Sequence, residues 1–556
     1  MAAPHHPLWI IGLDGLEPDL LARWSAEGHL PTLSACMARG RHGRLLSTPN
    51  QLTSSAWMTV ATGCSPATHG VYNFQERVPG EYRLRLPTAA DRSLPAFWET
   101  ASDAGCTVIT ARVPMSYPVR PVHGLQVADW LAPSPNSPGF AYPESLARDL
   151  RRRFDHAFWL EPTDLLNSAR YYRVLQALLH NADRTFELFD YLLSRERADL
   201  FFGVVREADV AGHIFWGFHA GTKSCHDPYL TRDLQEALRQ VYERIDQRLG
   251  EMLARMPSGG NLLIVSDHGM GSRPHGPDYV GPLLEQAGLM VRHPAPTAPP
   301  RRWPQVREAA CRHIPWSLRR RLKPLDADTW SRGFTQSHLA HIDFARSRAF
   351  SYLYSTMGEV WLNLQGRDPQ GVVAPGREQR ELEDALADMF AGCEEMATGR
   401  PLVESVWRRD ELFAGPHRDI FADLHVRFDP DLPAHGARAR FGGRELAVPP
   451  FPAPQGPAGF HRPYGVFVAC GPDITGAPQP VAGALDDVAP TALALLGLPV
   501  PCFMEGRVLN EALTDSMDRQ YADLPVSRAA SAVPEPAYSA ADLTRIEGRL
   551  AELGYL

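Results

Sequence analysis

Three aspartates, Asp14, Asp209 and Asp267, follow apolar runs with the composition of strands buried on both faces. The runs are Leu8-Trp-Ile-Ile-Gly-Leu13, Asp199-Leu-Phe-Phe-Gly-Val-Val205 and Asn261-Leu-Leu-Ile-Val-Ser266. Continuous hydrophobic stretches of this kind belong to parallel sheets, whose carboxyl ends border the ligand crevice of an open α/β fold. Two of the aspartates have a histidine within four residues, His213 and His268. Carboxylate oxygen and imidazole nitrogen together suit a divalent metal, so the three runs are expected to converge on a metal site.

The rest of the chain supports that fold class. The first run leads into helix-like Pro18 to Gly28 and Leu30 to Arg39. Short apolar stretches at 107–110 and 124–128 alternate with amphipathic helices over Glu144 to Phe154 and Tyr171 to Arg195. His226 to Met256 is helical in spacing and feeds the third metal strand, as a crossover helix does. The pattern predicts an α/β fold with a central, mostly parallel sheet flanked by helices. Residues 429–459, rich in Pro, Gly and Ala, read as irregular; the stretch Phe460 to Cys470 reads as one more strand with a histidine, His461, just before it.

Charge and cysteine usage narrow the function. A formal net charge of −8 over 556 residues argues against binding of a nucleic acid polymer as the main business of the chain and leaves room for a local basic patch. The N-terminus has neither a basic region nor an apolar core of a leader, and no apolar run approaches the ~20 residues of a membrane span, so a cytoplasmic enzyme is expected. The eight cysteines form no Cys-x-x-Cys pair and read as reduced, structural thiols. Pro- and Arg-rich residues 294–326, including Arg319-Arg320-Arg321, read as the solvated face of an inserted helical segment; an electropositive lid over an anionic substrate is the sharper alternative.

The densest motif is Thr53-Ser-Ser-Ala-Trp-Met-Thr-Val-Ala-Thr62-Gly63, followed by Pro66 and His69-Gly70. Residues 54–62 are helical in character and Gly63 closes them, which puts Thr53 at a helix N-terminus, where free N–H groups and the dipole favour an anion. A hydroxyl there is placed to attack phosphorus, although capping alone would also explain it.

The ordered set Leu13-Asp14-Gly15, Thr53 nine residues before Thr62-Gly63, Pro66, His69-Gly70, Asp209-x-x-Gly-His213, Ser266-Asp267-His268-Gly269 and His461 resembles the alkaline phosphatase superfamily. Within it the chain is most similar to the type I phosphodiesterase and nucleotide pyrophosphatase branch and its predicted phosphohydrolase/phosphomutase group. The resemblance implies an alkaline phosphatase-like catalytic domain over 1–514 with cap segments inserted near 75–200 and 275–350, and a tail over 515–556 ending in a short helix. It implies two divalent metal ions, zinc first, with manganese or iron as alternatives. Asp14, Asp267 and His268 would hold one; Asp209, His213 and His461 would hold the other. Thr53 would bridge or approach both, as a further metal ligand, and be the nucleophile, attacking a small-molecule phosphate ester to give a covalent phosphothreonine that water then hydrolyses. Discharge to an alcohol, as in a phosphotransferase or mutase, and a non-catalytic binding protein of the same fold are the rival readings.

Each assignment has a structural alternative. Asp14 could cap a turn, Ser54 is the competing nucleophile, and His69 reads as a turn residue. Cys64-Ser-Pro66-Ala-Thr68 lacks the arginine of the sulfatase signature. Nucleotide pyrophosphatases carry an asparagine three residues after the nucleophile to hold a phosphoryl oxygen, and here that residue is Ala56. Arg206, Asn50, Asn73 and His219 are the candidates to replace it.

Overall fold

A computed structural model describes residues 6–154, 168–221, 228–273, 275–293, 339, 341–352, 356–432, 435–451, 458–476, 479–514, 520–523, 538–539, 542–543, 546–548 and 550. The main sheet has nine strands in the order Val481–Ala484, Arg41–Leu46, Tyr464–Cys470, Asn261–Val265, Leu8–Leu13, Leu200–Val205, Val108–Ala111, Gly124–Val127, Ala141–Tyr142. The three apolar runs lie side by side at its centre. Leu8–Leu13 pairs in parallel with both of the others, Leu8 opposite Leu200 on one side and Asn261 on the other, so all three carboxyl ends emerge together.

Alternation along the central strand explains its burial. Trp9, Ile11 and Leu13 enter one hydrophobic core, while Leu8 and Ile10 enter a second on the opposite face. Burying such side chains is worth roughly 1.5–3 kcal/mol each, which fixes the register that aligns the aspartates. The flanking helices Pro18–Ala26 and Pro31–Arg39 each start on a proline, whose missing N–H costs nothing at the first helical position. The expected crossover before the third metal strand forms two helices, Pro228–Gln235 and Ala237–Leu253.

The sheet is mostly parallel, as expected, with Tyr464–Cys470 entering it antiparallel between Asn261–Val265 and Arg41–Leu46. The structure departs from the sequence reading in three places. Phe460 to Cys470 is two strands, because Pro463 has no N–H to continue a ladder: Gly459–Arg462 pairs with Gly269–Ser272, and only Tyr464–Cys470 joins the sheet. The stretch read as irregular contains the hairpin Ala437–Phe441 and Arg444–Val448, turned by Gly442 and Gly443 at φ +57° and +76°. Within the insertion expected near 75–200, Val108–Ala111 and Gly124–Val127 belong to the main sheet.

A separate hydrophobic core draws its buried residues from between Tyr279 and Val448, with Tyr82 and Leu84 packed against it. It holds a four-stranded sheet in the order Ala349–Phe350, Gly358–Leu362, Leu424–Phe428, Val403–Arg408. The arginine cluster at 319–321 lies outside the described residues. In the expected tail, Tyr521–Ala522 pairs with Val500–Pro501, and Ile546 and Leu550 are buried in the main core. Among the described residues no helix is long and apolar enough to cross a membrane.

Candidate metal centre

The loop after the first strand carries Asp14, whose N–H donates to the Val205 carbonyl at 2.9 Å. That bond holds Asp14 beside the start of helix Glu207–His219, which presents Asp209 in its first turn and His213 one turn later. Gly15 makes the approach possible: at φ +66°, a Cβ there would meet the Asp209 Cα at 2.8 Å. Asp267 and His268 follow the third strand directly. His461 arrives from far along the chain because Gly459–Arg462 pairs with Gly269–Ser272, setting His461 opposite Met270. Its ring then stacks on His268 with centroids 3.5 Å apart.

Six side chains form two buried triads, Asp14 with Asp267 and His268, and Asp209 with His213 and His461, and the ligand atoms within each triad lie within 4.8 Å of one another. In the first, His268 Nε2 is 3.5 Å from Asp14 Oδ1 and 3.2 Å from Asp267 Oδ2. In the second, Asp209 Oδ1 is 3.3 Å from Nε2 of both His213 and His461. Thr53 opens helix Thr53–Thr62, and its Oγ1 lies 3.3 Å from His268 Nε2.

The histidines share one arrangement. Nδ1 of His213 faces the Gly459 carbonyl at 3.0 Å, Nδ1 of His268 the Gly269 carbonyl at 3.0 Å, and Nδ1 of His461 the Gln51 carbonyl. A carbonyl only accepts, so each Nδ1 carries the proton and each Nε2 presents a lone pair toward its triad, as metal-ligating histidines do.

Charge separates the triads. Burial, then the charges of Asp267 and Asp209, push the Asp14 carboxyl well above the usual range. Burial and Asp209 do the same to Asp267. Burial also pushes Asp209 upward, but His213 and His461 outweigh it and hold that carboxyl well below its ordinary value. Burial, then His461, lowers His268. Asp14 Oδ1 and Asp267 Oδ2 are buried without a hydrogen-bond partner, and among the described residues no arginine or lysine pairs with either carboxylate. A divalent cation supplies the missing charge and partner at once, so the residues present fit one.

The candidates for the missing asparagine separate. Asn50 is occupied, its amide donating to the Tyr72 carbonyl at 2.7 Å and its oxygen accepting from Thr48 and Ser55. His219 ends the helix whose first turn carries Asp209, about 15 Å away at 1.5 Å per residue, and packs against Trp24 and Trp216. Arg206 is buried with its guanidinium over the Trp130 ring. Asn73 accepts the Phe74 N–H, while its amide nitrogen is buried with no hydrogen-bond partner. His69 is a buried fastening, its Nδ1 accepting from the Val71 N–H and its Nε2 3.1 Å from Thr59 Oγ1.

Sequence reasoning missed the supports. The Gly15 N–H donates to Asp267 Oδ1 at 3.2 Å, and the Trp57 indole donates to Asp14 Oδ2 at 3.1 Å. Glu17 accepts the Met270 N–H at 2.7 Å, and Ser266 Oγ joins the Leu16 amide to the His268 carbonyl. The four-residue step from Thr53 to Trp57 was readable as one helix face. The Gln51 carbonyl, on a residue at φ +51°, leaves no mark in the sequence.

The family described as type I phosphodiesterase / nucleotide pyrophosphatase matches the chain over residues 8–435. No curated protein matches it. Among solved structures it is similar to phosphonoacetate hydrolase from Sinorhizobium meliloti 1021 in complex with phosphonoacetate, at 16% identity and TM-score 0.49, covering 87% of this chain and 94% of that one. It is also similar to murine ectonucleotide pyrophosphatase / phosphodiesterase 5, at 14% identity and TM-score 0.46, covering 91% of this chain and 100% of that one.

Proposed function

We propose that this chain, which belongs to the type I phosphodiesterase / nucleotide pyrophosphatase family, hydrolyses small phosphoric esters by displacement at Thr53 beside a dinuclear metal site. The observation that carries the reading is the buried Thr53 hydroxyl at a helix N-terminus, 3.3 Å from His268 Nε2 and adjoining a buried triad with two unpartnered carboxylate oxygens.

In this reading Asp14, Asp267 and His268 hold one metal, and Asp209, His213 and His461 the other, with zinc the first choice for the donor set. When bound, the pair supplies Lewis acidity that lowers the pKa of the threonine hydroxyl and offsets phosphoryl charge. Thr53 Oγ1, having lost its proton, forms a bond to phosphorus while the bond to the ester oxygen breaks; the leaving group departs as the alcohol after taking up a proton. Water then displaces Thr53 Oγ1 from phosphorus, and the two inversions retain configuration. The first amide of this helix to reach a helical carbonyl is that of Ala56, bonded to Leu52 at 2.9 Å. The earlier amides of Ser54 and Ser55 lie at the positive helix end and take the phosphoryl oxygens, standing in for the side chain that Ala56 lacks.

The test is metal analysis coupled to turnover of bis-p-nitrophenyl phosphate and p-nitrophenyl phosphate by wild type and Thr53→Ala. Bound metal and turnover of at least one ester, lost in Thr53→Ala, is the expected result. Absence of metal together with absence of turnover contradicts the reading.

A further inference from the structure

The indole of Trp57 is fully buried, and its N–H donates to Asp14 Oδ2 at 3.1 Å. Trp57 stands four residues after Thr53 on helix Thr53–Thr62, so the helix that delivers the hydroxyl also grips a carboxylate of the first triad. The space for the ring comes from Gly12 on the neighbouring strand, where a Cβ would meet Trp57 Cη2 at 2.4 Å. The other carboxylate of this triad is held in the same way: the Gly15 N–H takes Asp267 Oδ1, as Trp57 takes Asp14 Oδ2. Each therefore keeps one oxygen tied to an N–H donor and one buried oxygen, Asp14 Oδ1 and Asp267 Oδ2, unpartnered near His268 Nε2.

We infer that Trp57 is a positioning residue that fixes Asp14 as a single-oxygen metal ligand and locks the distance between that ligand and Thr53. This rests on the metal reading of the site. A hydrogen bond to the outer oxygen of a ligating carboxylate sets its rotamer before the metal arrives, and loss of such a partner costs ~10–100-fold in metal affinity. The indole achieves this from the nucleophile's own helix, so a shift of that helix moves the hydroxyl and the ligand together. A purely space-filling tryptophan would need only its ring.

The experiment is a zinc titration of the metal-stripped full-length protein, wild type against Trp57→Phe, which keeps the apolar ring and removes the N–H. The inference expects wild type to bind two equivalents, and Trp57→Phe to bind one equivalent unchanged and the other ~10–100-fold more weakly. kcat at saturating zinc should fall while the KM for bis-p-nitrophenyl phosphate stays within about twofold, since the substrate touches neither group. Gly12→Ala, which crowds the ring with the indole still present, should reproduce the weakened equivalent. If Trp57→Phe misfolds, indole N–H resonances of wild type decide: one of them must shift with the zinc equivalent that Asp14→Asn abolishes. Two wild-type equivalents in folded Trp57→Phe, or no indole resonance following zinc, overturns the inference and leaves the metal reading intact. Absence of zinc binding by wild type overturns both.

Discussion

The two triads share burial and a common wall of stacked imidazoles, yet they are electrostatic opposites. The first, Asp14, Asp267 and His268, sets two carboxylates against one histidine, and both carboxyls are driven upward, Asp14 by burial and the charges of Asp267 and Asp209, Asp267 by burial and the charge of Asp209. The second, Asp209, His213 and His461, sets one carboxylate between two imidazoles and holds it ionised. Backbone carbonyls brace the histidines of both triads, Gly269 in the first and Gly459 and Gln51 in the second, and N–H donors from Trp57 and Gly15 brace the outer carboxylate oxygens of the first. The difference teaches that the half beside Thr53 is the one whose carboxylates lack a compensating arginine or lysine among the described residues.

The largest effect should come from Thr53, the proposed nucleophile. Thr53→Ala is expected to lose on the order of 10⁴-fold or more in kcat while still binding two equivalents of zinc, measured by steady-state turnover and metal analysis. Equal loss of metal would place Thr53 among the ligands first and the nucleophiles second.

Asp267→Asn and Asp209→Asn test the comparison directly. Each should reduce bound zinc from two equivalents to one. In the metal-stripped protein they should diverge: Asp267→Asn relieves crowding of buried carboxylates and raises the melting temperature, while Asp209→Asn deprives two histidines of their anion and lowers it. Shifts of a few degrees, about 1–2 kcal/mol, are expected in calorimetry. Shifts of the same sign would break the distinction.

Much of this site was legible in the sequence, and the reasons are local. Asp14, Asp267 and His268 follow strands whose apolar runs announced both burial and adjacency, and Asp209 with His213 obeys helical spacing. Thr53 is marked by the helix that Gly63 closes. His461 was readable only through the ordered motif set, since its position depends on a strand pair formed with a segment 190 residues earlier. The supports were not legible, because Gly15 and Gln51 act through backbone groups that every residue has. The hairpin at 437–448 was hidden by composition: its Gly442-Gly443 turn reads as loop until the alternation around it is noticed.

Asp129 provides a reference carboxylate outside both triads. Burial pushes it up to about 7, against an unfolded value of about 4. Because the folded pKa is the higher one, its contribution to stability is full below the unfolded value and is lost as the pH rises through 7. Asp129→Asn should therefore stabilise the protein at pH 8 by up to about 4 kcal/mol, with the gain vanishing toward pH 4, as followed by denaturant unfolding. Added zinc should leave that difference unchanged, in contrast to Asp267→Asn.

The smallest effect is expected at Ser54, the competing hydroxyl. Its Oγ is buried with no hydrogen-bond partner, so Ser54→Ala should change kcat by less than about threefold and leave both zinc equivalents in place.

The central claim is that Thr53 becomes covalently bound to phosphorus during turnover. Wild type loaded with zinc should be mixed with bis-p-nitrophenyl phosphate, quenched in acid within a turnover and digested for peptide mass analysis. The prediction is a p-nitrophenyl phosphoryl group on Thr53, absent from Thr53→Ala. Steady turnover with Thr53 unmodified, or with the label on Ser54, would contradict it.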